Sequence, residues 1–237
     1  MNTTKATWML GTLALAALAG CTESTSSTNI KTGGIAALIE VTATSDSSSR
    51  VKATLKVGGD ESNTYVQLDN GDKLVAEANG DQKPMTAEST GVYEAEFADG
   101  KEGTEFRVDL QRPNDTPAPN SRGVLPAPFT IGAIDSGLSR ANDALTITWD
   151  PSGKDGSMHL EINGSCIFLY PKDISDTGSY EIAAGELDST GGDKPETCDL
   201  DVELSRTTKG SADPAYDNES YVHLSQVRKS TIKSSAP

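Results

Sequence analysis

The chain has 237 residues, with 35 acidic against 20 basic side chains and a formal net charge of −15. That balance disfavours nucleic acid and bare anionic lipid and would attract cations or basic partners, but the acids are spread along the chain as a solvated surface is. Aromatics make up 5% of the residues while Ser, Thr, Gly and Asp are plentiful, a composition suited to short strands and polar turns at a length that suits two small domains.

The chain opens with Lys5 followed by an apolar run from Trp8 to Leu18. About ten residues match the h-region of an export signal and fall well short of the ~20 needed to span a bilayer. The run ends in Leu18-Ala19-Gly20-Cys21. This resembles the bacterial lipoprotein signal, in which cleavage precedes the cysteine and its thiol carries a diacylglyceryl group. The resemblance implies that residues 1–20 are removed, that Cys21 is lipidated, and that the mature charge is 19 − 35 = −16 after the loss of Lys5. It also implies a place in the cell envelope, and Thr22 in place of Asp after the cysteine favours the outer over the inner membrane. Residues 21–33 are polar and aperiodic, and are expected to form a flexible tether.

From Ile35 onward the dominant period is two, the mark of half-buried strands. Apolar runs lie at Ile35 to Thr44, Val51 to Val57, Tyr65 to Leu68 and Lys73 to Ala78, and alternation follows at Tyr93-Ala95-Phe97 and Phe106-Val108-Leu110. Between two of the runs, Asp69-Asn70-Gly71-Asp72 predicts a hairpin turn, because Asn-Gly tolerates the positive φ it needs. A β-sandwich is expected over 34–112. Residues 113–128 hold five prolines, which fix φ and remove donors, so a stiff linker is expected there.

The remainder, 129–237, repeats the two-residue period. Leu145-Ile147-Trp149 and Leu160-Ile162 face one way, as do Cys198-Leu200-Val202-Leu204, and final strand signals run from Tyr221 to Leu224 and from Val227 to Ile232. With Cys21 assigned to lipid, Cys166 and Cys198 remain as an even pair in an oxidising compartment, which reads as a disulfide. A metal pair or a reactive thiol is the rival reading, and no Cys or His stands at close ligand spacing to either. The segment Leu145-Thr146-Ile147-Thr148-Trp149-Asp150-Pro151 resembles the second strand of fibronectin type III domains, whose Trp plugs the core. Asp176-Thr177-Gly178-Ser179-Tyr180 resembles the corner of immunoglobulin-like domains, which implies a Tyr hydroxyl bonded back to the backbone. Ile182, where an antibody domain has Cys, departs from the antibody pattern. An all-β fold of two immunoglobulin-like or fibronectin-like sandwiches is the expectation.

Motifs of catalysis are sparse. No nucleophile elbow, phosphate loop, dinucleotide turn or zinc-binding helix motif occurs, and no cofactor or catalytic residue is assigned. His159 and His223 occupy the polar phase of their strands, where a solvated face is expected. Glu94 and Glu96 share a strand face and could serve a glycosidase, but such pairs arise by chance in a chain with 35 acids. Asp69, Asn70 and Asp72, and separately Asp150 and Asp155, cluster on loops as calcium ligands do, without the ordered spacing of a calcium loop; no metal is assigned. The expected function is a non-enzymatic binding, adhesion or structural role in the envelope, with membrane attachment through lipid and an envelope protein or glycan as partner. The alternative is a carbohydrate-binding module or carbohydrate-active hydrolase. Exposed aromatics would mark such a module, and Tyr216 and Tyr221 are the candidates for exposure.

Overall fold

The computed structural model describes residues 23–191 and 197–235. Cys21 and the apolar run before it lie outside the described residues. The first half of the chain folds as β1 (Glu23–Ser26), β2 (Ile35–Ser45), β3 (Ser48–Val57), β4 (Thr64–Gln67), β5 (Lys73–Ala78), β6 (Asp81–Pro84), β7 (Thr86–Ser89), β8 (Val92–Phe97), β9 (Glu105–Gln111) and β10 (Ala118–Val124). Strands β1-β4-β3-β2, with β8 also paired to β3 and β7 to β8, face a second sheet of order β10-β9-β5-β6. The alternation expected from the sequence sets this core. Ile35, Ile39 and Val41 on β2, Val51 and Leu55 on β3, Leu74 on β5 and Phe106, Val108 and Leu110 on β9 are all buried in one cluster. Each such side chain contributes roughly 1.5–3 kcal/mol relative to exposure. Phe97 meets Phe106 edge to face at 5.7 Å, the arrangement aromatic quadrupoles favour.

The second half folds as β11 (Thr130–Ile131), β12 (Leu138–Ser139), β13 (Leu145–Asp150), β14 (Ser157–Gly164), β15 (Tyr170–Ile174), β16 (Ser179–Ile182), β17 (Thr197–Lys209) and β18 (Tyr221–Ser235). A three-stranded sheet, β11-β13-β16, packs on β18-β17-β14-β15. In chain order this is the two-sheet arrangement of a fibronectin-like sandwich. Trp149 on β13 is 3% exposed and joins Ile147, Leu160, Val202 and Leu204 in a second core.

One strand unites the two sandwiches. Strand β18 pairs with β17 from His223 to Ser235, and residues Tyr221–Gln226 also pair in parallel with Leu38–Ala43 of β2. The main sheet is therefore continuous from the first sandwich into the second. The sequence signals at 221–224 and 227–232 belong to this single strand, because Gln226, Arg228 and Ser230 occupy its inward phase and interrupt the apolar pattern without ending the pairing.

Other segments differ from expectation. Residues 23–33 of the expected tether, together with Gly34, form β1 in parallel register with β4 (Glu23↔Thr64 through Ser26↔Gln67), then two 3-10 turns. An edge strand buries little, so it leaves no apolar period to read. Its backbone pairs with β4, and the turns after it are held by Arg112, which donates to the carbonyls of Ser27 and Ile30 and to Thr32 Oγ1. Residues 118–124 of the expected linker form β10, and Leu125, Pro126 and Ala127 are buried. Pro119 is tolerated because β10 is an edge strand with a register shift between Ala118 and Ser121. Asn70-Gly71 does make a tight turn, with φ of 52° and 87°. It joins no hairpin, since β4 and β5 belong to different sheets. The Asn-Gly hairpin is instead Asn79-Gly80, which closes β5 on β6 with Ala78 opposite Asp81.

Candidate functional site

Two strands carry polar side chains on their inward phase at the place where the two cores meet. Arg206 follows Leu200, Val202 and Leu204 in phase on β17 and is wholly buried, as is Gln226, its cross-strand partner on β18. Arg206 donates to Ala127 O (2.8 Å), Pro151 O (2.7 Å) and Asp176 Oδ2 (3.0 Å). Gln226 Nε2 donates to Gly100 O and Pro126 O. The ring of Phe129 lies between two guanidiniums, 5.1 Å from Arg206 Cζ and 5.7 Å from Arg228 Cζ. These contacts stitch residues 125–129 onto the long strands, so the crossing between sandwiches is packed.

Asp176 belongs to the corner motif singled out in the sequence, and the structure gives that corner a different bond. Trp149 Nε1 donates to Asp176 Oδ1 at 2.6 Å, and Lys154 N–H and Arg206 reach Oδ2. Burial pushes this carboxyl up, but the Trp149 and Lys154 donors and the Arg206 charge outweigh it and hold it below the usual carboxylate range. Among the described residues the Tyr180 hydroxyl makes no backbone bond of the immunoglobulin kind. It lies 3.4 Å from Tyr170 Oη, which in turn donates to Glu186 at 2.6 Å.

Beside this junction lies a groove of about 670 Å³. Its floor is Val124-Leu125-Pro126-Ala127, and its rim carries Arg122, Lys154 and Lys209 with Glu102, Glu105 and Asp155. All three cations are exposed, and none forms an ion pair among the described residues. The floor is rigid. Arg122 and Ser211 exchange backbone hydrogen bonds of 2.9 and 2.8 Å, and Leu125 N–H reaches Thr104 O at 3.0 Å. Gly123 and Gly210 cross so closely that a Cβ at Gly210 would strike the Arg122 carbonyl. A preformed concave surface with apolar floor and mixed-charge rim at a junction suits binding of a small polar ligand or a peptide segment.

The residues singled out in the sequence are scattered over the molecule. Cys166 and Cys198 form a disulfide with Cα atoms 5.9 Å apart, and Arg140 Nη1 donates to Cys166 Sγ and Ser234 Oγ. His159 Nδ1 pairs with Asp173 Oδ1 at 2.7 Å on a half-exposed strand face. His223 stacks on Tyr221 at 4.4 Å; burial first, and then the Lys209 charge, press its pKa down. Glu94 and Glu96 are bridged by Arg50 at 3.5 and 2.9 Å. Asp72 points inward to Arg112 at 2.9 Å, with both side chains buried. That pairing separates it from Asp69, whose carboxylate accepts from Asn70 N–H and Ser26 Oγ.

Tyr216, expected at the surface, is 5% exposed in the first core. Its hydroxyl is buried without a hydrogen-bond partner among the described residues, and burial, with the charges of Asp213 and Asp109, pushes its pKa up. Tyr216→Phe removes an unsatisfied group and keeps the ring. It is expected to stabilise the protein by about 1 kcal/mol, read as a higher urea midpoint with an unchanged slope. A lower midpoint would show that the hydroxyl is bonded in solution.

No protein-family model matches the chain, and no curated protein matches it in sequence. Among solved structures it is similar to the adhesin InvE of Yersinia pseudotuberculosis, at 11% identity over 85% of this chain and 60% of that one, with a TM-score of 0.24. It is also similar to chicken CNTN1 FN1-FN3 domains, at 12% identity over 87% and 68%, TM-score 0.28. A DUF3823 family protein from Parabacteroides merdae matches at 13% identity over 85% and 98%, TM-score 0.22. The chain spans less than two thirds of the adhesin's length, and the fold assignment above rests on this chain's own strand order.

Proposed function

We propose that the chain is a lipid-anchored, non-enzymatic protein of the cell envelope, at the outer membrane, that binds an envelope protein or peptide in the groove between its two sandwiches. The observation that carries the binding role is the groove itself, whose floor is held by backbone bonds and whose three cations form no ion pair among the described residues. The anchor rests on Leu18-Ala19-Gly20-Cys21. Sugar recognition by exposed aromatic platforms is less well supported: Trp149 and Tyr216 are buried, and the ring of Tyr221 is engaged with His223.

The test is a crosslinked pull-down from native membranes, comparing wild type with Cys21→Ala and with Arg122→Glu/Lys209→Glu. Partners captured by wild type and lost with the double charge reversal are expected. Membrane association should be lost only with Cys21→Ala. Unchanged partners after charge reversal would remove the groove from the reading, and membrane association surviving Cys21→Ala would remove the anchor.

A further inference from the structure

We infer that the lipid holds this body taut against the bilayer, standing on one defined pole with the second sandwich pointing away. The inference rests on lipidation at Cys21 and goes beyond it, because an anchor alone sets no orientation. Only Thr22 separates Cys21 from Glu23, the first residue of β1. At ~3.3–3.6 Å per residue, Cys21 lies within about 7 Å of Glu23.

Strand β1 is not free to pay out more chain. It is in register with β4 over four residues, and the segment after it is clamped. Ser27 is wholly buried and its Oγ accepts from Asp69 N–H at 3.0 Å. The Arg112 guanidinium, itself ion-paired to Asp72, bonds Ser27 O, Ile30 O and Thr32 Oγ1. Peeling the chain back past Ser27 would take acceptors from the buried Arg112 guanidinium, which is costly.

The strand directions then define the pole. Glu23 lies beside Thr64, at the start of β4, just past the loop 58–63. The Glu219 carboxylate accepts from Asp60 N–H at 3.0 Å, which ties the loop 217–220 to the same end. Strand β18 leaves this end at Tyr221 and runs 15 residues to Ser235, a rise of about 46 Å at ~3.3 Å per residue. Cys198 pairs with Ser234, so the disulfide sits at the far end. The near pole carries Glu23, Asp60, Glu61, Asp217 and Glu219 against Lys56, whose Nζ donates to the Asp60 carbonyl. This acidic excess opposes adhesion to anionic headgroups, so the surface the pole fits is a bilayer of neutral net charge, held against it by acyl chains alone.

The experiment uses the full lipidated protein purified from membranes and reconstituted into phosphatidylcholine vesicles with an acceptor dye on a small fraction of headgroups. A donor dye is placed in turn at Glu61→Cys and at Lys233→Cys, both exposed. Energy transfer from position 61 is expected to exceed that from position 233 several-fold. A flexible Gly-Ser insertion between Thr22 and Glu23 should bring the two toward equality. Equal transfer from both sites without the insertion, in protein whose N-terminal peptide mass shows acyl chains, overturns the taut geometry. A peptide mass without acyl chains overturns the lipidation it rests on, and the two failures are told apart by that mass.

Discussion

Arg206→Met is expected to destabilise the protein by about 3–5 kcal/mol, the scale for breaking a buried charge pair by removing one partner. The side chain is wholly buried, and its loss leaves the Asp176 carboxylate, itself 8% exposed, without its cation. The carbonyls of Ala127 and Pro151 lose their donors at the same time. Arg206→Lys should recover part of the loss and no more, because one ammonium cannot reproduce a planar fork that serves several acceptors at once. Adding Asp176→Asn to Arg206→Met should recover part of it too, and the double-mutant cycle measures the coupling. Urea midpoints read each step. A loss below about 1 kcal/mol would show that solvent reaches the junction and replaces these bonds.

The same pair sets an acid limb. The folded pKa of Asp176 lies below its unfolded value, so its contribution is complete above the ordinary carboxylate range and is lost as pH falls through the folded pKa. Asp176→Asn should therefore flatten the decline in stability below about pH 4, the range in which an unperturbed carboxyl takes up its proton. A decline as steep as that of wild type would place the acid sensitivity in other carboxylates.

Removing the disulfide with Cys166→Ser/Cys198→Ser is expected to cost about 3.5 kcal/mol in the chain-entropy picture for a loop of this size. The two residues are 32 apart. Arg140 adds to the loss, because its guanidinium is buried against Cys166 Sγ and Ser234 Oγ. The informative feature is the shape of the unfolding curve. Strand β18 places Val222 and Leu224 in the first core and Ile232 in the second. Loss of the bridge should therefore shift one shared transition for both sandwiches. Two separated transitions, with only the second moved, would show that the continuous sheet does not couple them. Reduction of wild type by dithiothreitol should reproduce the shift.

Much of the fold was legible in the chain. Alternation located β2, β3, β5, β8 and β9 and the core halves of β13, β14 and β17, because a strand with one buried face must repeat every two residues. Missed strands include several that bury little, β1 and β7, β6 with Asp81-Gln82-Lys83-Pro84, and β10 under its prolines, and also the short β11, β12, β15 and β16 of the second sandwich. The groove was not legible at all, since its rim comes from four separate segments that only the folded chain brings together.

The buried polar side chains mark the division most clearly. Arg112 continues the phase of Phe106, Val108 and Leu110; Arg206 continues that of Leu200, Val202 and Leu204; Gln226 continues that of Val222 and Leu224. Pleating turns Arg206 and Gln226 inward once β17 and β18 run unbroken through them, and Arg112 follows one residue past β9. The sequence by itself placed the cysteines that pair and the tryptophan that fills the second core. Only the tertiary structure decided that an inward guanidinium would be tolerable. Its acceptors are backbone carbonyls of the N-terminal segment and of the proline-rich crossing, distant in the chain. Burial of such a group is stable only once every one of those acceptors has arrived.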